Sequence, residues 1–203
     1  NLNLNTYWAR SRTDNRAGKD TSFRGQLDYA GDRYGVQLEH LAVGDDFNPE
    51  VGFVRRKDMH RSSALLRFSP RAQGFQSLRK FLYQGSLDSI ANDSCRLETR
   101  ESTGEFAIEC QNSDRLTVNV TDSYEFLPRP FPIAPDLTLP SGGYRFTNAP
   151  VQMNLGQRRK VSGQFALDRG SFYNGHKTTI SLSRGRMNAG SRLSLEPAYL
   201  LNV

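Results

Sequence analysis

The chain has 203 residues, of which only 36% are apolar, and a mean hydropathy of −0.63, so it is poorly supplied for a large closed hydrophobic core. No run of about 18 apolar residues occurs, which excludes a transmembrane helix but not a membrane-spanning strand. The net charge of +6 is scattered, with short clusters at Arg55, Arg56 and Lys57 and at Arg158, Arg159 and Lys160; with no basic stripe and no nucleic-acid motif, a nucleic-acid partner is not expected.

Read in chain order, apolar and polar residues alternate with period two in six stretches, and turn signals separate about 12 predicted strands. The first runs through Leu2, Leu4, Thr6 and Trp8 to a turn near Thr13, Asp14 and Asn15; a second covers 22–29 and a third 34–43, separated by Ala30, Gly31 and Asp32. A loop over 44–60 precedes strands at 62–69, 75–87, 96–100, 105–111, 115–126, 143–147, 160–172, 177–183 and 192–201. Leu78, Phe81 and Leu82 also suit a helical period, which leaves 76–84 ambiguous.

Alternation makes each strand two-faced. Leu116, Val118 and Val120 oppose Arg115, Thr117, Asn119 and Thr121, and Val161, Phe165 and Leu167 oppose Lys160, Ser162, Gln164 and Asp168. Two architectures share this pattern: a soluble β-sandwich, and an antiparallel up-and-down barrel with lipid on its apolar face and a lumen on its polar one.

The sequence around Ser102, Thr103 and Gly104 predicts a hairpin with Leu97 opposite Ile108, Thr99 opposite Phe106 and Cys95 opposite Cys110. That register permits a Cys95–Cys110 disulfide, or two unbonded thiols. Pro128, Pro130, Pro132, Pro135 and Pro140 exclude a central strand from 128–140, which is expected to be a stiff structured loop inside a single β segment spanning 1–203. Both ends of the chain look cut, as expected of a piece of a longer protein.

Little points to catalysis. His40, His60 and His176 have no metal-ligand spacing, and no motif implies a cofactor. Asp46, Asn48 and Glu50 resemble half of a calcium loop, but Val51 replaces the turn glycine and Lys57 stands where a bidentate Glu belongs. These residues suit turn capping instead, with Pro49 stiffening the loop. In the predicted register Glu98 and Glu109 share one face, which fits either a carboxylate pair acting on a sugar or solvated lumen charges.

The same loop, GDDFNPEVGFVRRKD from Gly44 to Asp58, resembles the signature of a family of uncharacterised bacterial outer-membrane β-barrels, through Asp46, Phe47, Asn48, Pro49, Gly52, Phe53, Val54 and Arg56. LPSGGYRF (139–146) and GSFYNG (170–175) are weaker echoes in the same order. Full-length members of that family carry an N-terminal domain similar to carbohydrate-binding module family 9 before a large barrel. The resemblance implies an incomplete barrel segment in the bacterial outer membrane, with lipid as its partner and a glycan or small solute as cargo, acting in uptake, binding or surface anchoring. It supplies no catalytic residue.

On this reading Phe106, Ile108, Leu116, Val118, Val120, Phe165, Leu167, Ile180 and Leu182 face lipid. Tyr7, Trp8, Tyr29, Tyr34, Tyr144, Tyr173 and Tyr199 stand where an aromatic girdle belongs. A soluble sandwich or lipocalin-like module that binds carbohydrate is the alternative, and a membrane-associated hydrolase the third.

Overall fold

A computed structural model describes residues 1–12, 18–50, 52–54, 56–134, 137–157, 159, 161–172, 175–188 and 193–203. It is all-β, with antiparallel up-and-down strands. In chain order these are β1 (Leu2–Arg10), β2 (Thr21–Ala30), β3 (Tyr34–Val43), β4 (Met59–Phe68), β5 (Leu78–Ala91), β6 (Leu97–Cys110), β7 (Arg115–Leu127), β8 (Phe131–Ala134), β9 (Leu137–Leu139), β10 (Gly142–Asn148), β11 (Val151–Leu155), β12 (Val161–Phe172), β13 (Gly175–Asn188), β14 (Ser194–Leu195) and β15 (Tyr199–Asn202). Thirteen of them share one sheet, ordered β1 to β7, then β10, β12, β13 and β14; β11 pairs with β7 and β12, and β15 with β13.

Several expectations are corrected. The strand expected over 75–87 is present as β5, which settles the ambiguity at 76–84 against a helix. The predicted hairpin does not exist: β6 runs unbroken through Ser102, Thr103 and Gly104. Gly104 is not among the residues with positive φ, so nothing turns the backbone there. Cys110 is therefore the last residue of a 14-residue strand and Cys95 lies before its first, and both thiols are free. A disulfide needs Cα atoms within about 7 Å, which an intervening extended strand forbids.

The proline segment holds a separate two-stranded sheet, β8 with β9, in place of an unpaired loop, and Leu139 is buried there. Strand β11 was not expected. It resumes the line of β10 after Ala149 and Pro150, where Ala149 donates to the Arg169 carbonyl (2.9 Å) and the Pro150 carbonyl accepts from Asn119 (3.0 Å). Proline has no N–H for the ladder, so the strand is interrupted at that point. The expected last strand at 192–201 is two short strands, β14 and β15. Its Arg192, the turn at residues 13–15, Val51, Arg55, Pro135, Arg158, Lys160 and Tyr173 lie outside the described residues.

By its contacts the chain divides into two compact units, Asn1–Leu66 with Ser86–Ser102 and Ser123–Arg145, and Arg67–Gly85 with Thr103–Asp122 and Phe146–Val203.

In the first unit, register fixes what shares a face. Leu2 pairs with Tyr29, Leu4 with Leu27 and Trp8 with Phe23, while Tyr29 pairs with Val36 and Leu27 with Leu38. This apolar face is the exposed one, with Leu4 at 69% and Trp8 at 65%. The opposite face carries Asn3, Asn5 and Tyr7 beside Ser22, Arg24 and Gln26, and Ser22 is only 2% exposed. Tyr7 leaves the expected girdle: one residue from Trp8, it must point the other way, and its hydroxyl meets Ser22 Oγ at 3.1 Å.

The second unit repeats the inversion. Val118 pairs with Val151 and Leu116 with Met153; Met153 also pairs with Phe165, Phe165 with Leu182, Leu167 with Ile180, and Ile180 with Leu201. Phe165 is 50% exposed on that face, while Thr117 and Ser162 on the other are buried. Phe106 stacks with Phe81 and packs tilted against Tyr83, their ring centroids 6.4 and 5.1 Å away. Large apolar side chains look outward and small polar ones are covered, the reverse of a water-soluble core.

Candidate functional site

In the first unit the loop that follows β3 is tied down by its own backbone amides and by the side-chain oxygens of Asp45, Asp46 and Asn48. Gly44 donates to the Thr21 carbonyl (2.9 Å), and a Cβ at Gly44 would stand 2.0 Å from the Lys19 carbonyl oxygen, so only glycine fits. Asp45 Oδ1 accepts from the Lys19 amide (2.7 Å), and Asp46 Oδ2 accepts from the Gly18 amide (2.6 Å). Phe47 is buried, the Asn48 amide donates to Ser11 Oγ (2.8 Å), and Asn48 Oδ1 accepts from the Glu50 amide (3.4 Å). The oxygens of Asp46 and Asn48 thus serve backbone amides, as the turn-capping reading expects.

Beyond the turn, Gly52 donates to the Pro49 carbonyl (3.0 Å), Val54 is half-buried, and Arg56 forms an ion pair with Glu98. Phe53 projects into solvent, 85% exposed. Asp58 adopts φ 53° and accepts from the Asp93 amide (2.9 Å). Asp93 in turn meets Lys19 Nζ (3.1 Å) and His60 Nε2 (2.7 Å). Burial pushes the Asp93 carboxyl up, but hydrogen bonds from His60 and Lys19 together hold it below its ordinary value. Lys19 and Asp93 close this cluster, and sequence reasoning missed both because they lie far from the motif in the chain. The turn signal Asn92-Asp93-Ser94 was the only local cue.

Behind the loops, the polar face of the first unit carries ion pairs across neighbouring strands. Arg24 on β2 meets Glu39 on β3 (2.8 Å), and Arg61 on β4 meets Asp88 on β5 (2.5 Å). In the second unit Glu109 is held by Arg79, Lys80 (3.7 Å) and Arg115 (3.3 Å), and Arg115 also reaches Glu105 (2.8 Å).

Glu98 and Glu109 are thus occupied by different cations. They stand eleven residues apart on one strand, far beyond the roughly 5–9.5 Å a sugar-cleaving pair needs. The expected pairing of these carboxylates is therefore overturned. Among the described residues no group of three or more His, Cys, Asp and Glu side chains is gathered to hold a metal.

Among the described residues the most buried charge in the second unit is Asp114, in the turn between β6 and β7. It accepts from the Gly156 amide (2.8 Å), from Arg159 Nε (3.0 Å) and Nη2 (2.5 Å), and from Asn112 Nδ2 (2.9 Å). Burial raises its pKa, but these donors outweigh burial and leave it lowered. A carboxyl whose folded pKa is lowered adds stability above its unfolded value of about 3.9, and that stability is lost as pH falls through the folded value. Urea midpoints measured from pH 5 to about pH 2 should therefore fall more steeply for the parent than for Asp114→Asn. Parallel slopes would show that Asp114 contributes nothing to the acid response.

No family model, curated protein or solved structure matches the chain.

Proposed function

We propose that the chain is a segment of the wall of a bacterial outer-membrane β-barrel, with its apolar face in lipid and its polar face toward a lumen, acting in glycan-related uptake, binding or surface anchoring. The observation that carries the reading is the inversion of both units. Water-soluble monomers rarely expose contiguous apolar patches beyond a few hundred Å². Here Leu2, Leu4, Trp8, Phe23 and Tyr29 share an exposed face in one unit, and Val151, Phe165, Leu167 and Leu201 in the other. Hydrocarbon is the solvent that suits such faces, while ion pairs such as Arg24–Glu39 suit a hydrated interior. The resemblance of the Gly44–Asp58 loop to outer-membrane barrels supports the same reading, and closure of the wall into a barrel is part of the proposal.

The test is solvent dependence. The protein is expected to need detergent to remain monodisperse and, folded in detergent, to migrate differently on a gel before and after boiling. A chain that is monomeric and folded in plain buffer would refute the proposal in favour of a soluble binding module.

A further inference from the structure

The second unit contains a cavity of about 730 Å³, within the roughly 300–1,000 Å³ typical of small-molecule sites. It lies where the pairing of β12 with β13 is broken, since the register shifts between Ser162 and Gln164. Opposite the break, Arg184 adopts φ 50°, a conformation that non-glycine residues seldom hold without a reason. Gly163 and Gly185 let the two strands pass: a Cβ on Gly163 would stand 3.1 Å from Gly185 Cα, and one on Gly185 would stand 2.5 Å from the Pro197 carbonyl oxygen. Bulges of this kind re-aim side chains and are common beside binding sites.

The lining defines a ligand. Asn154, Gln157 and Gln164 offer amide donors and acceptors, and Leu155 is the one large apolar side chain among the lining residues, so an alkyl or aromatic ligand finds little to bind. Arg184, Arg186 and a single carboxylate, Glu196, border it, all three exposed to solvent, which gives the lining one net positive charge. Neither arginine has an ion-pair partner among the described residues, whereas Arg24, Arg61, Arg79, Arg115 and Arg159 all do. An unpaired guanidinium in a polar cavity is suited to a carboxylate, which it can grip with two parallel hydrogen bonds.

We infer that this cavity binds a small polyhydroxylated carboxylate, a sugar acid of one or two residues, with Arg186 on the carboxylate and the amides on the hydroxyls. The inference does not rest on the membrane proposal, because the cavity lies within one unit and the titration works in whichever medium keeps the chain folded. Calorimetric titration of the full chain should show glucuronate binding, with glucose weaker by at least about tenfold, the worth of one charged hydrogen bond. Arg186→Gln should weaken glucuronate by a similar factor and leave glucose unchanged. Glu196→Gln, which raises the net charge of the cavity, should tighten glucuronate and serves if the arginine variant does not fold. Equal affinity for glucose and glucuronate, no glucuronate binding, or indifference to both substitutions would overturn the inference. Inorganic phosphate binding more tightly than glucuronate would overturn it in favour of a bare oxyanion site.

Discussion

Phe165→Arg is expected to destabilise the protein folded in lipid vesicles by about 2–4 kcal/mol, while Ser181→Arg costs less than about 1 kcal/mol. The two positions lie on adjacent strands but on opposite faces. Phe165 pairs with Leu182 on the apolar face, and Ser181 pairs with Ala166 on the polar one. If the apolar face meets lipid, as proposed, an arginine at Phe165 must carry its charge into hydrocarbon or reach out of it, whereas at Ser181 it joins a hydrated wall. In a water-soluble domain the expectation is different, because Phe165 is already half exposed and such surface changes lie within about 0.5 kcal/mol. Urea unfolding followed through the fluorescence of Trp8, the single tryptophan, measures both variants. If Phe165→Arg proves silent, the apolar face does not meet lipid.

The second large effect is expected at Gly44. Gly44→Ala places a methyl group 2.0 Å from a main-chain oxygen of Lys19, and that segment is itself held by Asp45 and Asp46. Relief requires the backbone to move, so the cost is put at about 3 kcal/mol, toward the top of the range for overpacking. Asp45→Ala, which removes only hydrogen bonds accepted from Lys19 and from Asp46, should cost about 1 kcal/mol. Urea midpoints rank the two, and limited proteolysis should show cleavage in the Gly44–Asp58 loop rising first in Gly44→Ala. A Gly44→Ala variant as stable and as protease-resistant as the parent would mean that this loop is not pinned at Lys19.

Much of the fold was legible because alternation is a local property. Strand β3 falls on its predicted limits, and Leu116, Val118, Phe165, Leu167, Ile180 and Leu182 share one face as their spacing requires. The failures have physical causes. Ser-Thr-Gly reads as a turn only if the chain reverses, and β6 is extended through it. Strand β11 is short and follows a proline, so its own sequence could not separate it from a loop. The loop motif was visible, but its partners Lys19 and Asp93 come together only in three dimensions. The cavity was invisible because a register shift between β12 and β13 belongs to a pair of strands, not to either sequence.

If the proposed membrane reading holds, the unbroken course of β6 has a consequence for where the hydrocarbon would end. A tilted strand crosses the apolar slab in about 9–11 residues, and β6 has 14, as do β5 and β13. Residues 98–105 of β6 include no apolar side chain, while Phe106 and Ile108 restore the alternation. On the proposed membrane reading, one half of the strand suits water on both sides and the other lipid on one. On that reading the depth of the membrane would be written along the length of a single strand, and the stretch that resembles a turn would mark its waterline.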